Sequence, residues 1–464
     1  MESPENSLTQ YGADHIVYWV VPIGENQDKL IDHAEGVSLY TKDGREILDA
    51  TSQLICVNLG YKYKDEIADA AAEQMRKLPF LTTFWGYTSE PLVECSQRLS
   101  KILQPGLDHY LYTNGGGEST ETALQLARKY WRVKGTSKYK IISLYNSYHG
   151  VYFGSGTATG VAKGMFSHDF APLVPGFVKA PSYYCYRCQL GLEYPDCGIE
   201  CARQLEKIID FEGEDSVAAF IAEPMHGTAG MVPPPPEYWP MVRDICTRRN
   251  VLLIADEVMT GFGRTGKAFA TQHWDVTPDM MCLAKGITTA YLPFGAVAMH
   301  DGVWETFKGT LSAGPTYSGH PVCAAVACKV MEIYERDGIF AHAAKMGEYA
   351  QRRLEEQLLP LPVVAAVSGM GMQKGIEVVE DKDERRGFDP STHVMAEISD
   401  IALARGLFVR TSDTSWSPSN RISFCPPLVS TEADIDRMVD IVHSILSELQ
   451  PGVGFTKRET VAAR

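Results

Sequence analysis

In the middle of the chain, four short apolar runs follow one another at close intervals: "VAAFIAEP" from Val217, "VLLIADEV" from Val251, "MMCLA" from Met280 and "FGAVAMH" from Phe294. None alternates polar with apolar residues, so none suits a sheet with one face in water. Such runs fit strands buried on both sides. Two more precede them, "HYLYTN" from His109 and "YKIISLY" from Tyr139, with helical patterns at 118–133 and around 201–210. Strand and helix in turn predict an α/β chain whose mostly parallel sheet carries helices on both faces.

The two ends read differently. Residues 37–60 predict a hairpin, "VSLYT" and "EILDA" about a turn at Asp43-Gly44, followed by a helix over 65–77. From about residue 322 long helices take over, then short strands at "KGIEVV", "LFVRT" and "RISFCP", and a last amphipathic helix that starts after Thr431. The expected organisation is a large domain over 61–325 and a small α+β domain over 326–464, joined by the N-terminal segment 1–60. The segment "EDKDERRGFDPST" reads as a solvated charged loop, and the tail from Pro451 as mobile.

The composition, 45% hydrophobic and 22% charged over 464 residues, is ordinary for a soluble globular enzyme. A net charge of −15 argues against a sequence-independent hold on nucleic acid. The start, "MESPENSLTQ", lacks the order of a signal peptide, and the apolar stretch "HIVYWVVPI" is too short to cross a membrane. Eleven cysteines without an export signal suggest reduced thiols and a cytoplasmic location.

The stretch "VLLIADEVMTGFGRTG" offers two ways to hold a phosphorylated cofactor. Its second half has the G-x-G-x-x-G spacing of a dinucleotide turn, but such a turn must open a long helix and be answered by an acid after the next strand. Here "KAFATQHWDVTP" comes next, with poor helical periodicity, and Asp279 precedes the next strand. The alternative for these glycines is a loop that lets two segments approach closely. Its first half ends a buried strand on Asp256, at the carboxyl end where open α/β sheets bind ligands. Lys285 follows 29 residues later, after the next strand.

That acid and lysine are either a structural ion pair or the two poles of a pyridoxal phosphate site, the lysine as Schiff base and the acid on the pyridine nitrogen. The second reading also needs a phosphate cradle, a ring-stacking aromatic and a donor to the phenolic oxygen. Gly115, Gly116 and Gly117 lead into a helix whose apolar face is Ala123, Leu126, Ala127, Tyr130 and Trp131, so free N–H groups and the positive helix end face an anion. Tyr148 and His149 follow the strand "IISLY", where an aromatic face can stack on a planar ring, although a satisfied structural histidine is the simpler account of His149 alone.

Taken together, "FIAEPMHGTAGMVPPPPEYW", "LIADEVMTGFGRTG", "CLAKGITTAYLPFGAV" and "GPTYSGHPVCAAVA" resemble the successive signature blocks of the class III aminotransferases, pyridoxal phosphate enzymes of fold type I. The resemblance runs from about residue 35 to 445. It implies a large domain with a seven-stranded, mainly parallel sheet, a small domain built from both chain ends, and a homodimer or higher oligomer with shared sites. It puts the Schiff base on Lys285, the pyridine-nitrogen contact on Asp256 and ring packing on Val258. It also puts the phosphate turn at Gly116 and Gly117, the stacking aromatic at Tyr148, a supporting acid at Glu223, and the reach to a neighbour's phosphate at Thr316.

Substrate residues come from the same likeness. Thr228 stands where ornithine and γ-aminobutyrate enzymes carry an acid that pairs with the carboxylate-binding arginine. This leaves Arg410 freer to swing, as in amine:pyruvate transaminases, with Arg421 as a competitor and a surface salt bridge as the alternative for either. Phe84 and Trp85 supply a pocket wall, and Ile55, where relatives often have tryptophan, reshapes it. The expected reaction moves an amino group from an amine or ω-amino acid to a keto acid, with pyruvate favoured; a decarboxylating transaminase or an aminomutase is the alternative. Cys185, Cys188, Cys197 and Cys201 have C-x2-C-x8-C-x3-C spacing, open to a structural zinc, reduced packing thiols or disulfides; no metal is assigned to the active site.

Overall fold

The computed structural model describes residues 11–12, 14–17, 30–161, 170–307, 309, 313–413, 417 and 419–455. Near the start, β1 (Ile31–Glu35), β2 (Ser38–Thr41) and β3 (Glu46–Asp49) form an antiparallel meander, with the expected hairpin between β2 and β3. Seven strands then make the central sheet: β4 (His109–Thr113), β5 (Lys140–Leu144), β6 (Phe177–Ala180), β7 (Val217–Ala222), β8 (Leu252–Asp256), β9 (Met280–Leu283) and β10 (Gly295–Met299). Their order is β4-β10-β9-β8-β7-β5-β6, with β10 antiparallel to both neighbours and the other pairs parallel.

The unalternating composition of these strands is explained by their surroundings. Leu252 and Ile254 of β8 pack into one buried cluster, and Leu253 and Ala255 into another on the opposite face. β9 divides likewise, Met280 and Cys282 to one side and Met281 and Leu283 to the other. The helix Gly116–Val133 covers the first face through Ala123, Leu124, Leu126, Ala127, Tyr130 and Trp131, and the Trp131 indole donates to the Ala218 carbonyl at 2.8 Å. Each such large side chain contributes roughly 1.5–3 kcal/mol on burial.

The long helices Pro321–Arg336 and Ile339–Leu358 come next, then β11 (Val364–Met370), β12 (Gln373–Val378), β13 (Leu407–Phe408), β14 (Arg410–Ser412) and β15 (Asn420–Phe424). β11, β12, β15 and β14 form an antiparallel sheet, whereas β13 joins β3 in parallel and so ties the two ends of the chain together. The helix Glu432–Glu448 is capped by Thr431, whose hydroxyl accepts from the Asp434 amide at 3.2 Å. The expected tail turns back at its start, Leu449–Gln450 pairing with Gly454–Phe455, and its remainder lies outside the described residues. "MESPENSLTQ" and most of "HIVYWVVPI" also lie outside them, and among the described residues no helix is long and apolar enough to cross a membrane.

Candidate active site

The parallel strands of the sheet end at one edge, and the residues just beyond several of them line one cavity of about 580 Å³. After β4 comes the Asn114–Gly117 turn, after β5 Tyr148 to Tyr152, after β7 Glu223, at the end of β8 Asp256 with Val258 beyond it, and after β9 Lys285. Asp256 and Lys285 therefore stand at the ends of adjacent strands and face the same space.

Lys285 takes a left-handed backbone conformation, φ 50°, directly after β9. For a residue with a β-carbon this costs about 1–2 kcal/mol, a strain that recurs at functional positions. Burial pushes its pKa below the ordinary lysine value and the nearby Arg410 adds to this, while Cys56, Asp256 and Glu223 oppose it. The amine is thus biased toward its neutral, nucleophilic form.

Asp256 is buried and both of its carboxylate oxygens have partners. Oδ2 lies 2.7 Å from His149 Nδ1 and accepts from Thr120 Oγ1 at 3.5 Å, and Oδ1 accepts from the Val258 amide at 3.2 Å. His149 is therefore more than a packed core histidine: it touches Asp256, and among the described residues its Nε2 is buried without a partner. Its position, one residue past Tyr148 and just beyond a strand's carboxyl end, was the signal for it. Glu223 accepts from the Tyr148 amide at 2.9 Å and the Gly227 amide at 2.9 Å, and lies 3.4 Å from His226 Nδ1. Burial alone would raise its pKa, but the bond from His226 and the charges of His226 and His149 bring it below the usual value.

The glycines at 116 and 117 form the first turn of their helix rather than a loop before it, with Gly115 as its N-cap. A helix start leaves its N–H groups without intrahelical acceptors. No side chain fits there: a β-carbon on Gly116 would lie 2.6 Å from Val258 Cγ1, and one on Gly117 2.9 Å from Tyr152 Cε2.

A model of the Aminotransferase class-III family matches residues 23–446. The chain is a class-III aminotransferase. It is 37% identical over 425 residues to the diaminobutyrate–2-oxoglutarate transaminase of Halomonas elongata, covering 90% of this chain and 89% of that one. The putrescine–pyruvate aminotransferase of Pseudomonas aeruginosa is 35% identical, with 93% of each chain covered. A thermostable (S)-enantioselective omega-transaminase from Thermomicrobium roseum superposes with a TM-score of 0.90 at 35% identity, over 96% of this chain and 99% of that one. Enzymes of this class depend on pyridoxal phosphate. The aminotransferase has residues that fit it: an acid and an amine in one cavity, and a glycine turn that a β-carbon would fill.

Other expected residues lie apart from this cavity. Arg410, on β14, is half-buried and close enough to Tyr148 and Glu223 for their charges to oppose the lowering of its pKa by burial. Arg421 is fully buried and committed elsewhere: its guanidinium donates to Glu377 at 3.0 Å, Tyr184 Oη at 2.9 Å and the Gly375 carbonyl at 3.0 Å. Ile55 is 2% exposed and packs with Met225, Met231, Met259 and Cys425, so its neighbour Cys56 takes the place on the cavity wall. Phe84 and Trp85 are 60% and 78% exposed, and Thr316 is exposed as well; none of the three lines the cavity within one chain.

The "GFGRTG" segment forms successive turns and opens no long helix. Arg264 within it is buried and donates to the Pro426 carbonyl at 2.5 Å, Asn58 Oδ1 at 2.9 Å and Ser52 Oγ at 3.0 Å, joining the N-terminal segment to the C-terminal one. Gly263 lets Phe340 come close, since a β-carbon there would lie 2.5 Å from its ring. The glycines serve close approach.

Cys185, Cys188, Cys197 and Cys201 carry free thiols around one small cavity. Among the described residues no group of three or more His, Cys, Asp or Glu is placed to hold a metal ion. Their segment acts as a brace. Tyr183 donates to the Glu223 carbonyl at 2.8 Å, while Arg187 reaches Glu377 at 2.9 Å, linking Glu223 to the sheet that carries Arg410.

Proposed function

We propose that the enzyme moves an amino group from an amine or ω-amino acid to a keto acid, pyruvate in the first place, with Lys285 and Asp256 as its catalytic residues. The observation that carries this reading is the meeting of Asp256, Lys285, Tyr148 and the Gly116–Gly117 turn around one cavity.

Bound pyridoxal phosphate supplies a carbonyl that condenses with amines and a pyridinium ring that draws electrons from the carbon losing its proton. Asp256, held by His149 and the Val258 amide, would keep a proton on the pyridine nitrogen. Tyr148 and Val258 would hold the ring, and the amides of Gly116 and Gly117 would meet the phosphate. Glu223 fixes the backbone at Tyr148. The Lys285 amine, neutral in part because it is buried, takes the substrate's α-proton and returns it as general acid.

Arg410 is the candidate for the keto-acid carboxylate, supported by its nearness to Lys285 and by the commitment of Arg421 to Glu377. Thr316, Phe84 and Trp85 complete the site of a neighbouring copy in a cytoplasmic homodimer; their exposure in one chain supports this. The relatives differ in acceptor, 2-oxoglutarate in one name and pyruvate in another, so acceptor choice is the finer claim.

The test is spectroscopic and kinetic. Purified protein supplied with pyridoxal phosphate should absorb in the visible, shift on adding an amine, and produce alanine from pyruvate; Lys285→Ala should abolish all three. A colourless protein indifferent to the cofactor would sink the reading, and turnover with 2-oxoglutarate alone would overturn the choice of pyruvate.

A further inference from the structure

Lys179, on β6, does not line the cavity, yet its ammonium is directed at the segment standing behind it. Nζ lies 2.8 Å from Ser143 Oγ on β5, and 3.0, 2.5 and 3.0 Å from the carbonyl oxygens of Thr157, Ala158 and Thr159. These carbonyls end the short helix Phe153–Ala158, the end at which a cation is favoured. Among the described residues no carboxylate shares the work. Burial alone lowers its pKa, to about 7. No acidic or basic side chain among the described residues contributes, on β5, on the short helix or on the helix Glu200–Glu212 packed against β6.

The groups held by the ammonium lead to the cofactor residues in two steps. The Thr159 hydroxyl accepts from the His149 amide at 2.9 Å and donates to the Gly150 carbonyl at 2.9 Å. His149 in turn holds Asp256. Gly150 is pressed against the phosphate turn, for a β-carbon there would lie 3.0 Å from Gly117 Cα. A shift at 157–159 is therefore passed to both poles of the cavity, the acid and the glycine turn.

We propose that Lys179 is a positioning residue for the cofactor, its charge fixing Thr159 and through it the His149–Gly150 turn against Asp256 and Gly117. The inference rests on the pyridoxal phosphate reading of the cavity. A half-buried lysine with four oxygen acceptors and, among the described residues, no counter-ion is otherwise costly to keep.

Its test compares Lys179→Met with Lys138→Met, a second partly buried lysine that donates to the Asn250 carbonyl at 2.7 Å, remote from the cavity. The readouts are pyridoxal phosphate affinity of the apoprotein, by absorbance titration, and amide hydrogen exchange over residues 146–160. Lys179→Met should weaken cofactor binding by about tenfold or more, the usual effect of losing a charge-assisted hydrogen bond, and speed exchange in that segment. The affinity gap between wild type and Lys179→Met should narrow as pH rises through the Lys179 pKa, when both present an uncharged group. Lys138→Met should change neither readout.

Equal affinities, an equal loss in both variants, or a gap that ignores pH would each overturn the inference. Should Lys179→Met fail to fold, Thr159→Val severs the relay with Lys179 in place and must reproduce the affinity loss. Failure of the wild type itself to bind the cofactor would instead refute the reading of the cavity.

Discussion

Gly116→Ala is the sharpest probe of the phosphate turn, because the structure fixes what the added methyl group would strike. Its β-carbon would stand 2.6 Å from Cγ1 and 3.1 Å from Cγ2 of Val258, but 3.4 Å from Val258 Cβ, an ordinary contact. Val258 cannot easily give way, since its branched side chain has few rotamers and its amide is bonded to Asp256. Overpacking of this kind costs about 1–3 kcal/mol, hence about 5- to 150-fold in cofactor affinity if the helix start yields. Melting temperature is a poor reporter, because alanine in a helix regains about 0.5–1 kcal/mol over glycine. The measurement is therefore the pyridoxal phosphate dissociation constant of the apoprotein. Val258→Ala removes the two clashing carbons and leaves only the ordinary contact, so the double variant Gly116→Ala/Val258→Ala should recover most of the affinity. Independent losses, or normal binding by Gly116→Ala alone, would refute the steric argument.

The two arginines should separate cleanly: Arg421→Met, which strips a buried partner from Glu377 while Arg187 remains, should lower stability by about 3 kcal/mol in denaturant melts. Arg410→Met should melt near the wild type and instead raise the KM for the keto acid. The apoprotein should grow more stable as pH rises from the lowered Lys285 pKa toward 10.5, because only the unfolded chain binds that proton in this window; pH-dependent unfolding of wild type against Lys285→Met checks the sign. Light scattering should find a dimer, and Trp85→Asp, at a position 78% exposed in one chain, should weaken it and lower activity together; a fully active monomer would refute the shared site.

Much of the fold was legible because its causes are local in the sequence. Strands buried on both faces must lack polar alternation, and those at 217, 251 and 280 were found that way; the helix read over 118–133, which starts two residues earlier, and the Thr431 cap were legible from their own patterns. The pairing of Asp256 with Lys285 could also be read, since parallel strands place consecutive carboxyl ends at one edge. The sequence itself could not say that His149 bonds Asp256, since the two are 107 positions apart. It could not decide between Arg410 and Arg421 either, both strand residues of one small sheet. The structure buries one against Glu377 and brings the other toward Lys285. Nor did it mark Ile55 as a core residue and Cys56 as the cavity wall, or Lys179 as the charge behind the Tyr148 loop. Hydrophobic patterning, set by each segment's own burial, determined the elements and their edge. Which polar group meets which depends on contacts between distant segments, and those are decided only when the chain is packed.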